Sequence, residues 1–289
     1  MKFKKVAKVL LSCLMAGALF TGCGGDSGSS GGEKPAASSG ETKLGMITHL
    51  NAGEKQMEEI LKMVQEDSGV NLSKYTITYY DSLKLMQMGI ESGSVDEISL
   101  YSSVADYVKA KNEKFENVSD LTLKTLSDNF CFAVRKDDAA LKADLDKVLD
   151  EMKSDGSLEK LVKEYITDVD KGKEPPAVEI PMTEGAETIK VGVTGDLPPL
   201  DLILADNSPA GFNTALLAEV AKRSGKNIEV VQIESGARAT ALTSKQIDVI
   251  FWVVVPTVDK VPADIDKPEG VELSAPYFKD NVEHLKLKK

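Results

Sequence analysis

Apolar and polar positions along this chain switch repeatedly between two periods. Lys43 to Thr48 carries a short apolar run that reads as a strand. Glu54 to Asp67 then places Met57, Ile60, Leu61 and Val64 at helical spacing, and Ser68-Gly69 stops the helix. "YTITYY" follows as a second strand, then a helix through Leu83, Leu85, Met86 and Ile90, then "ESGSVDEISL", a turn feeding another strand. The same order returns far downstream: strand Ile189 to Val193, helix Phe212 to Arg223 with Ser224-Gly225 as its stop, strand "NIEVVQI", a short helix near Ala239 to Leu242, and "TSKQIDVIFWVVV". Gly45 to Asp96 and Gly192 to Asp248 are nearly equal intervals, so the two copies keep nearly one length.

Between the copies lies a third piece, residues 129 to 166. It holds the apolar strand "NFCFAV", a helix carrying Leu141, Leu145, Val148, Leu149 and Met152, a break at Asp155-Gly156, and a last helix through Leu158, Leu161, Val162 and Ile166. Residues 167–187 are polar and contain Pro175, Pro176 and Pro181, the composition of a connector. Helices alternating with strands predict an α/β fold of two lobes, each with a largely parallel sheet.

The N-terminus changes the picture of where the fold begins. Lys2, Lys4, Lys5 and Lys8 precede an apolar run from Val9 to Phe20 that ends in Thr21-Gly22-Cys23, the layout of a secretory signal over residues 1–22. At about a dozen residues the run is too short to span a bilayer. Phe-Thr-Gly-Cys resembles a bacterial lipobox, which implies Cys23 as a lipidated N-terminus; an ordinary cleaved signal with an incidental cysteine is the alternative. Residues 23–41, rich in glycine and serine, read as a flexible tether.

Charge and cysteine usage then narrow the partners. Thirty-five lysines and arginines stand against 46 aspartates and glutamates, a formal net charge of −11. Loss of the lysine-rich leader makes the mature chain more acidic still, which argues against nucleic acid and against an electrostatic membrane footing. Of the three cysteines only Cys131 lies in the folded part, so no internal disulfide is available and the core must stabilise the fold. Inside "FCFAV", Cys131 reads as a buried strand residue and not a reactive thiol.

Four stretches carry a family resemblance. "IKVGVTGDLPPLDL", "AGFNTALLAEVAKRSGK", "LTSKQIDVI" and "LSAPYFKD" resemble, in order, the first strand and loop, the "GFD" helix, the "SGxxD" turn and the approach to the hinge of family 3 extracellular solute-binding proteins, the receptors of polar amino-acid ABC importers. Residues 42 to 166 resemble the remainder of that pattern, ending in an "AVRK" strand and the helices of "SDGSLEKLVKEY". What ends the family pattern therefore comes first here. The resemblance implies a two-lobed, Venus-flytrap fold with its lobe order permuted: lobe two over 42–128, lobe one over 129–289, the connector 167–187 joining the usual C-terminus to the usual N-terminus, and a C-terminal hinge strand at 281–289. Permutation at surface termini is physically tolerated; two incomplete domains in tandem are the alternative.

The resemblance also implies a function. A small-molecule ligand would sit between the lobes, closure would be favoured because both lobes touch it, and an ABC permease would recognise the closed form. It implies a monomer on the extracytoplasmic side, held to the membrane by its lipid anchor. With His49 and His284 the only histidines, no Gly-rich phosphate loop and no clustered His or Cys, the residues point to no cofactor, no metal and no catalytic group. Two other classes stay open: a cleft enzyme of dehydratase type, needing a general acid such as Asp196 or Glu234, and a sensory lipoprotein without transport.

Ligand residues depart from the family, which leaves three readings open: a different small solute, an amino acid held by substitute groups, or a domain that has lost binding. Where the family has an arginine after a "TPER"-like turn, this chain reads Pro256-Thr257-Val258-Asp259-Lys260; where lobe two has an ammonium-binding Asp, it has Tyr101; and the aromatic of the "PPF" loop is Leu200. Substitute candidates are Arg238 at a helix start, as an anion contact or a solvated surface residue; Trp252, as a stacking platform or core aromatic; and Thr48, His49 and Asn51 on the turn after the first strand, as ligand contacts, with His49 alternatively a cap. Asp196 either lines the cleft or shapes its loop, Tyr101 offers a hydroxyl or packs on the lobe, and Asn213 replaces the family's Asp at a position read as structural.

Overall fold

The computed structural model describes residues 41–48, 54–120, 123–257, 259 and 261–289. The expected leader with Cys23, the tether up to residue 40, and His49 and Asn51 lie outside the described residues.

The first half runs β1 (Thr42–Ile47), α1 (Glu54–Ser68), β2 (Tyr75–Tyr80), α2 (Leu83–Glu91), β3 (Glu97–Tyr101), α3 (Ser102–Lys111) and β4 (Phe115–Asn117). Its parallel strands lie in the order β2-β1-β3. α2 starts where Ser82 accepts a hydrogen bond from the Leu85 N–H, a side-chain cap that satisfies one of the helix's orphan donors.

β5 (Ser127–Arg135), α4 (Ala139–Ser154) and α5 (Ser157–Val162) come next. The second half contains β6 (Thr188–Val193), β7 (Asp196–Leu197), β8 (Asp201–Ile203), β9 (Pro209–Ala210), α6 (Phe212–Ser224), β10 (Asn227–Gln232), α7 (Arg238–Thr243), β11 (Val249–Pro256), β12 (Val271–Leu273) and β13 (Phe278–Leu287). Here the parallel order is β10-β6-β11, the mirror of the first half in chain order: second strand, first strand, third strand. α6 ends at Gly225, whose φ of 70° is left-handed and costs glycine little.

The halves exchange a strand. β5 leaves the first half and pairs antiparallel with β11 and β12, while β13 leaves the second half and pairs antiparallel with β3 and β4. Where they pass, the two strands pair with each other, with Phe130 opposite Phe278 and Asp128 opposite Asp280. Two antiparallel crossings thus join two α/β lobes into one strand path, and each lobe is closed by a strand from the other.

Packing explains why those crossings are firm. Phe130, Phe132, Phe212 and Phe251 are buried around Tyr277, with the Phe132 and Phe251 rings edge-to-face at 4.9 Å. On β13, Leu285 is fully buried and His284 nearly so, its Nδ1 3.4 Å from a Glu97 carboxylate oxygen. Asp280 of β13 accepts hydrogen bonds from Ser102 Oγ, Ser103 N–H and Ser103 Oγ, which caps α3 from a distant strand. Cys131 is buried in β5 and its thiol is pushed up to about 11 by that burial, the inert residue its neighbours predicted.

The proline-containing segment after α5 first meets α3, where Lys171 pairs with Asp106, and then runs along the second half. Ala177 bridges to Ala210, and the Thr183 N–H donates to Asn227 Oδ1 at 2.7 Å. No helix among the described residues is long and apolar enough to cross a membrane.

Candidate functional site

Three loops meet where the lobes face each other: the end of β1, the loop after β6, and the turn between β10 and α7. Ser235 Oγ on that last turn donates to the Thr48 carbonyl across the interface at 3.0 Å. Arg238 stands one helical turn further on; its Nη2 donates to Ser235 Oγ at 3.1 Å and its Nε to the Ser235 carbonyl at 3.1 Å. The guanidinium therefore holds the hydroxyl that holds the opposite lobe. Gly236 sits between them in close approach: a Cβ there would lie 3.0 Å from Asp81 Oδ1 and 3.5 Å from Thr48 Cγ2, so a side chain fits only if the Asp81 carboxylate gives way.

Arg238 is 2% exposed, not a solvated surface residue. Burial lowers its pKa to about 10, a fall that the nearby Asp266 and Asp201 carboxylates partly offset, so it stays charged at neutral pH. Asp201 is itself buried, and it accepts from the Thr194 N–H, Thr194 Oγ1 and the Gly195 N–H at 3.0, 3.1 and 2.9 Å; burial raises its pKa against those donors.

Asp196 both faces the other lobe and begins a small hairpin sheet, β7-β8-β9. Its carboxylate accepts a 2.7 Å hydrogen bond from the Leu83 N–H, in the first turn of α2. Burial raises its pKa to about 6; the Leu83 bond opposes the rise and the charge of Asp201 adds to it. Tyr101 donates to Asp128 Oδ2 at 2.9 Å, and its ring meets Phe130 edge-on at 4.8 Å. Burial, with Asp128 second, holds its hydroxyl far above the usual pKa, so it remains a donor.

A cavity of about 150 Å³ opens from this junction. Thr48, Tyr101, Asp128, Leu197, Arg238 and Asp266 line it where the lobes meet. It continues between the sheet of the first half and α1, past Leu44, Met57, Ile60 and Val64. Of the residues singled out from sequence, Thr48, Tyr101 and Arg238 share this cavity, while Asp196 stands beside it on the α2 contact. Trp252 falls on β11, with its side chain outside the described residues. Asn213 is fully buried at the start of α6, its side-chain amide without a hydrogen-bond partner among the described residues. Asp128, Asp266, Asp201 and Ser235 were missed; each reaches the site through the tertiary fold, and none stands in a local pattern that marks it.

Residues 189–281 match the model of the bacterial extracellular solute-binding proteins, family 3. That segment carries the family-3 solute-binding pattern. It opens one residue inside β6 and closes within β13, so the matched segment spans the second half from its first strand to its crossing strand. The arginine-binding extracellular protein ArtP of Bacillus subtilis is 32% identical over 76 residues, 26% of this chain and 29% of that protein. The chain therefore spans less than a third of the length of this curated relative. Among solved structures, the ligand-binding component of an ABC-type import system from Staphylococcus aureus aligns with a TM-score of 0.43 at 12% identity, covering 85% of this chain and 65% of that one. The GluR0 ligand-binding core from Nostoc punctiforme, in complex with L-glutamate, aligns with a TM-score of 0.36 at 10% identity, covering 86% and 85%. The two-lobed α/β reading rests on the strand order and crossings described above.

Among the described residues, no group of three or more His, Cys, Asp or Glu is placed to hold a metal ion.

Proposed function

We propose that the protein is an extracytoplasmic solute-binding receptor that captures a small solute, an amino acid or related small carboxylate, between its two lobes and delivers it to an ABC importer. The observation that carries this reading is the cavity at the lobe junction, lined from both lobes by Thr48, Tyr101, Leu197 and Arg238. A solute there touches both lobes at once, so it binds the closed form better than any open one, and that difference is what drives closure. The family-3 match over 189–281 supports the same reading, as does the passage of the antiparallel strands β5 and β13 between the lobes.

The reading includes a permuted chain order. The family match begins at β6, about two-thirds of the way along, and the elements before it supply the partner lobe. It also includes residues 1–22 as a leader, Cys23 as the lipid anchor, a tether to residue 41, and a monomer facing a membrane permease.

One observation favours the dehydratase-type alternative: Asp196 holds its proton to about pH 6 beside the cleft, within range of general-acid work. Its bond to the Leu83 N–H gives the same carboxylate a closing role, which the receptor reading requires.

A thermal-shift screen of the full chain against amino acids, small carboxylates, peptides and polyamines tests the proposal. One chemical class should raise the melting temperature, because ligand bound only to the folded state stabilises it by mass action. A shift from no class, or turnover of a cleft-bound substrate abolished by Asp196→Asn, contradicts it.

A further inference from the structure

Beneath α1 the cavity is more apolar than at the polar junction it opens from. Beyond the junction its walls are Leu44, Met57, Ile60, Leu61, Val64 and Leu72, with Ser99 and His284 on the sheet floor. Ser99 is half-buried there, and the His284 ring is engaged by Glu97, its Nδ1 3.4 Å from a carboxylate oxygen. Apolar walls such as these gain packing contacts when an apolar group fills the space between them. A cavity of about 150 Å³ with aliphatic walls accepts a six-carbon ring, and this one encloses about that volume with its polar junction included.

Both signs of charge stand where the cavity opens: the Arg238 guanidinium, and the Asp128 and Asp266 carboxylates. A molecule lying across that boundary keeps a polar, doubly charged end at the junction and an apolar end under the helix.

We propose that the solute is an amino acid with an apolar side chain of about four to seven carbons, leucine-, methionine- or phenylalanine-sized, whose side chain fills the cavity between α1 and the sheet. The inference rests on the receptor reading and narrows it. It departs from an arginine-type ligand, since a guanidinium placed among Leu44, Ile60 and Val64 would lose its hydration with no carboxylate among those walls to replace it.

The test is titration calorimetry and thermal shift of the full chain with leucine, methionine, phenylalanine, arginine and glutamate, repeated on Val64→Phe and on the milder Leu61→Phe. Both substitutions enlarge a wall residue of the cavity. Binding of the three apolar amino acids, with arginine and glutamate at least tenfold weaker, supports the inference. So does a tenfold or greater loss of that binding in either variant whose apo melting temperature is unchanged or raised. Tight binding of arginine or glutamate, with no response to the apolar three, overturns the inference and leaves the receptor reading standing. Undiminished leucine and phenylalanine binding in both folded variants overturns the placement of the side chain. No response to any of the five overturns the inference, and the broader solute screen then judges the receptor reading separately.

Discussion

The Asp196 carboxylate and the Leu83 N–H meet at 2.7 Å across the two lobes, one from the loop after β6 and the other from the first turn of α2. A carboxylate at a helix N-terminus is favoured by the unpaired N–H groups and the helix dipole there. With the Ser235 bond to the Thr48 carbonyl, it forms a pair of direct latches that hold the lobes together beside the cavity.

The Asp196 latch should respond to pH. Its folded-state pKa of about 6 lies above the usual 3.8, so between those values the folded protein binds more protons than the unfolded chain. Stability contributed by this group is therefore present in full at the acid end and is lost as pH rises through about 6. The difference amounts to at most about 3 kcal/mol, at 1.36 kcal/mol per pKa unit. Urea unfolding at pH 5 and pH 7.5 should show Asp196→Asn losing less stability than wild type over that rise. Parallel pH profiles for the two proteins would contradict the assignment.

Arg238→Ala should be strongly destabilising and not merely deficient in ligand binding. The guanidinium satisfies the Ser235 carbonyl and hydroxyl and offsets the buried Asp201 and Asp266 charges. Removing one partner of a buried charged network costs about 3–5 kcal/mol. Denaturant titration checks this, and a loss below about 1 kcal/mol would mean that the network is hydrated or rearranged.

Much of the fold could be read from periodicity alone, and the site largely could not. The helix expected over Glu54 to Asp67 is α1, Glu54–Ser68, and that expected over Phe212 to Arg223 is α6, Phe212–Ser224, because each combines an apolar stripe with a Ser-Gly stop. The β7-β8-β9 sheet was hidden in a proline-containing loop, since its strands are two or three residues long and no period can show in them. Arg238 could be named from sequence but not its burial, which depends on Ser235, Phe251 and Asp266 converging from three segments. Asp128 became visible only through its 2.9 Å bond to Tyr101, a partner on the other side of the β5 crossing.

The second crossing strand offers a test of how the lobes are joined. Leu285 is fully buried on β13, where it pairs with Ile98 on β3 and Asn117 on β4. Leu285→Ala should cost about 2–5 kcal/mol, and deletion of residues 282–289 should cost more, since it also removes Val282 and His284 from the cavity wall. A melting temperature unchanged by the deletion would show that β13 does not bind the lobes together.

Asp280→Asn should weaken α3. The carboxylate accepts from the Ser103 N–H and both serine hydroxyls, and an amide replaces one of its oxygens with a donor. The expected loss is about 1–2 kcal/mol, in the range of side-chain caps at helix N-termini. Hydrogen exchange confined to α3 and its junction with β3 checks it; unchanged protection there would assign the cap elsewhere.

Capture between the lobes is the central claim, and hydrogen–deuterium exchange of the full chain with and without saturating leucine tests it most directly. The predicted result is slowed exchange on both sides of the junction together: in α1 and the end of β1 on one lobe, and in Ser235 to Thr243 on the other. Protection limited to one lobe, or none while leucine is demonstrably bound, would contradict a ligand held between them.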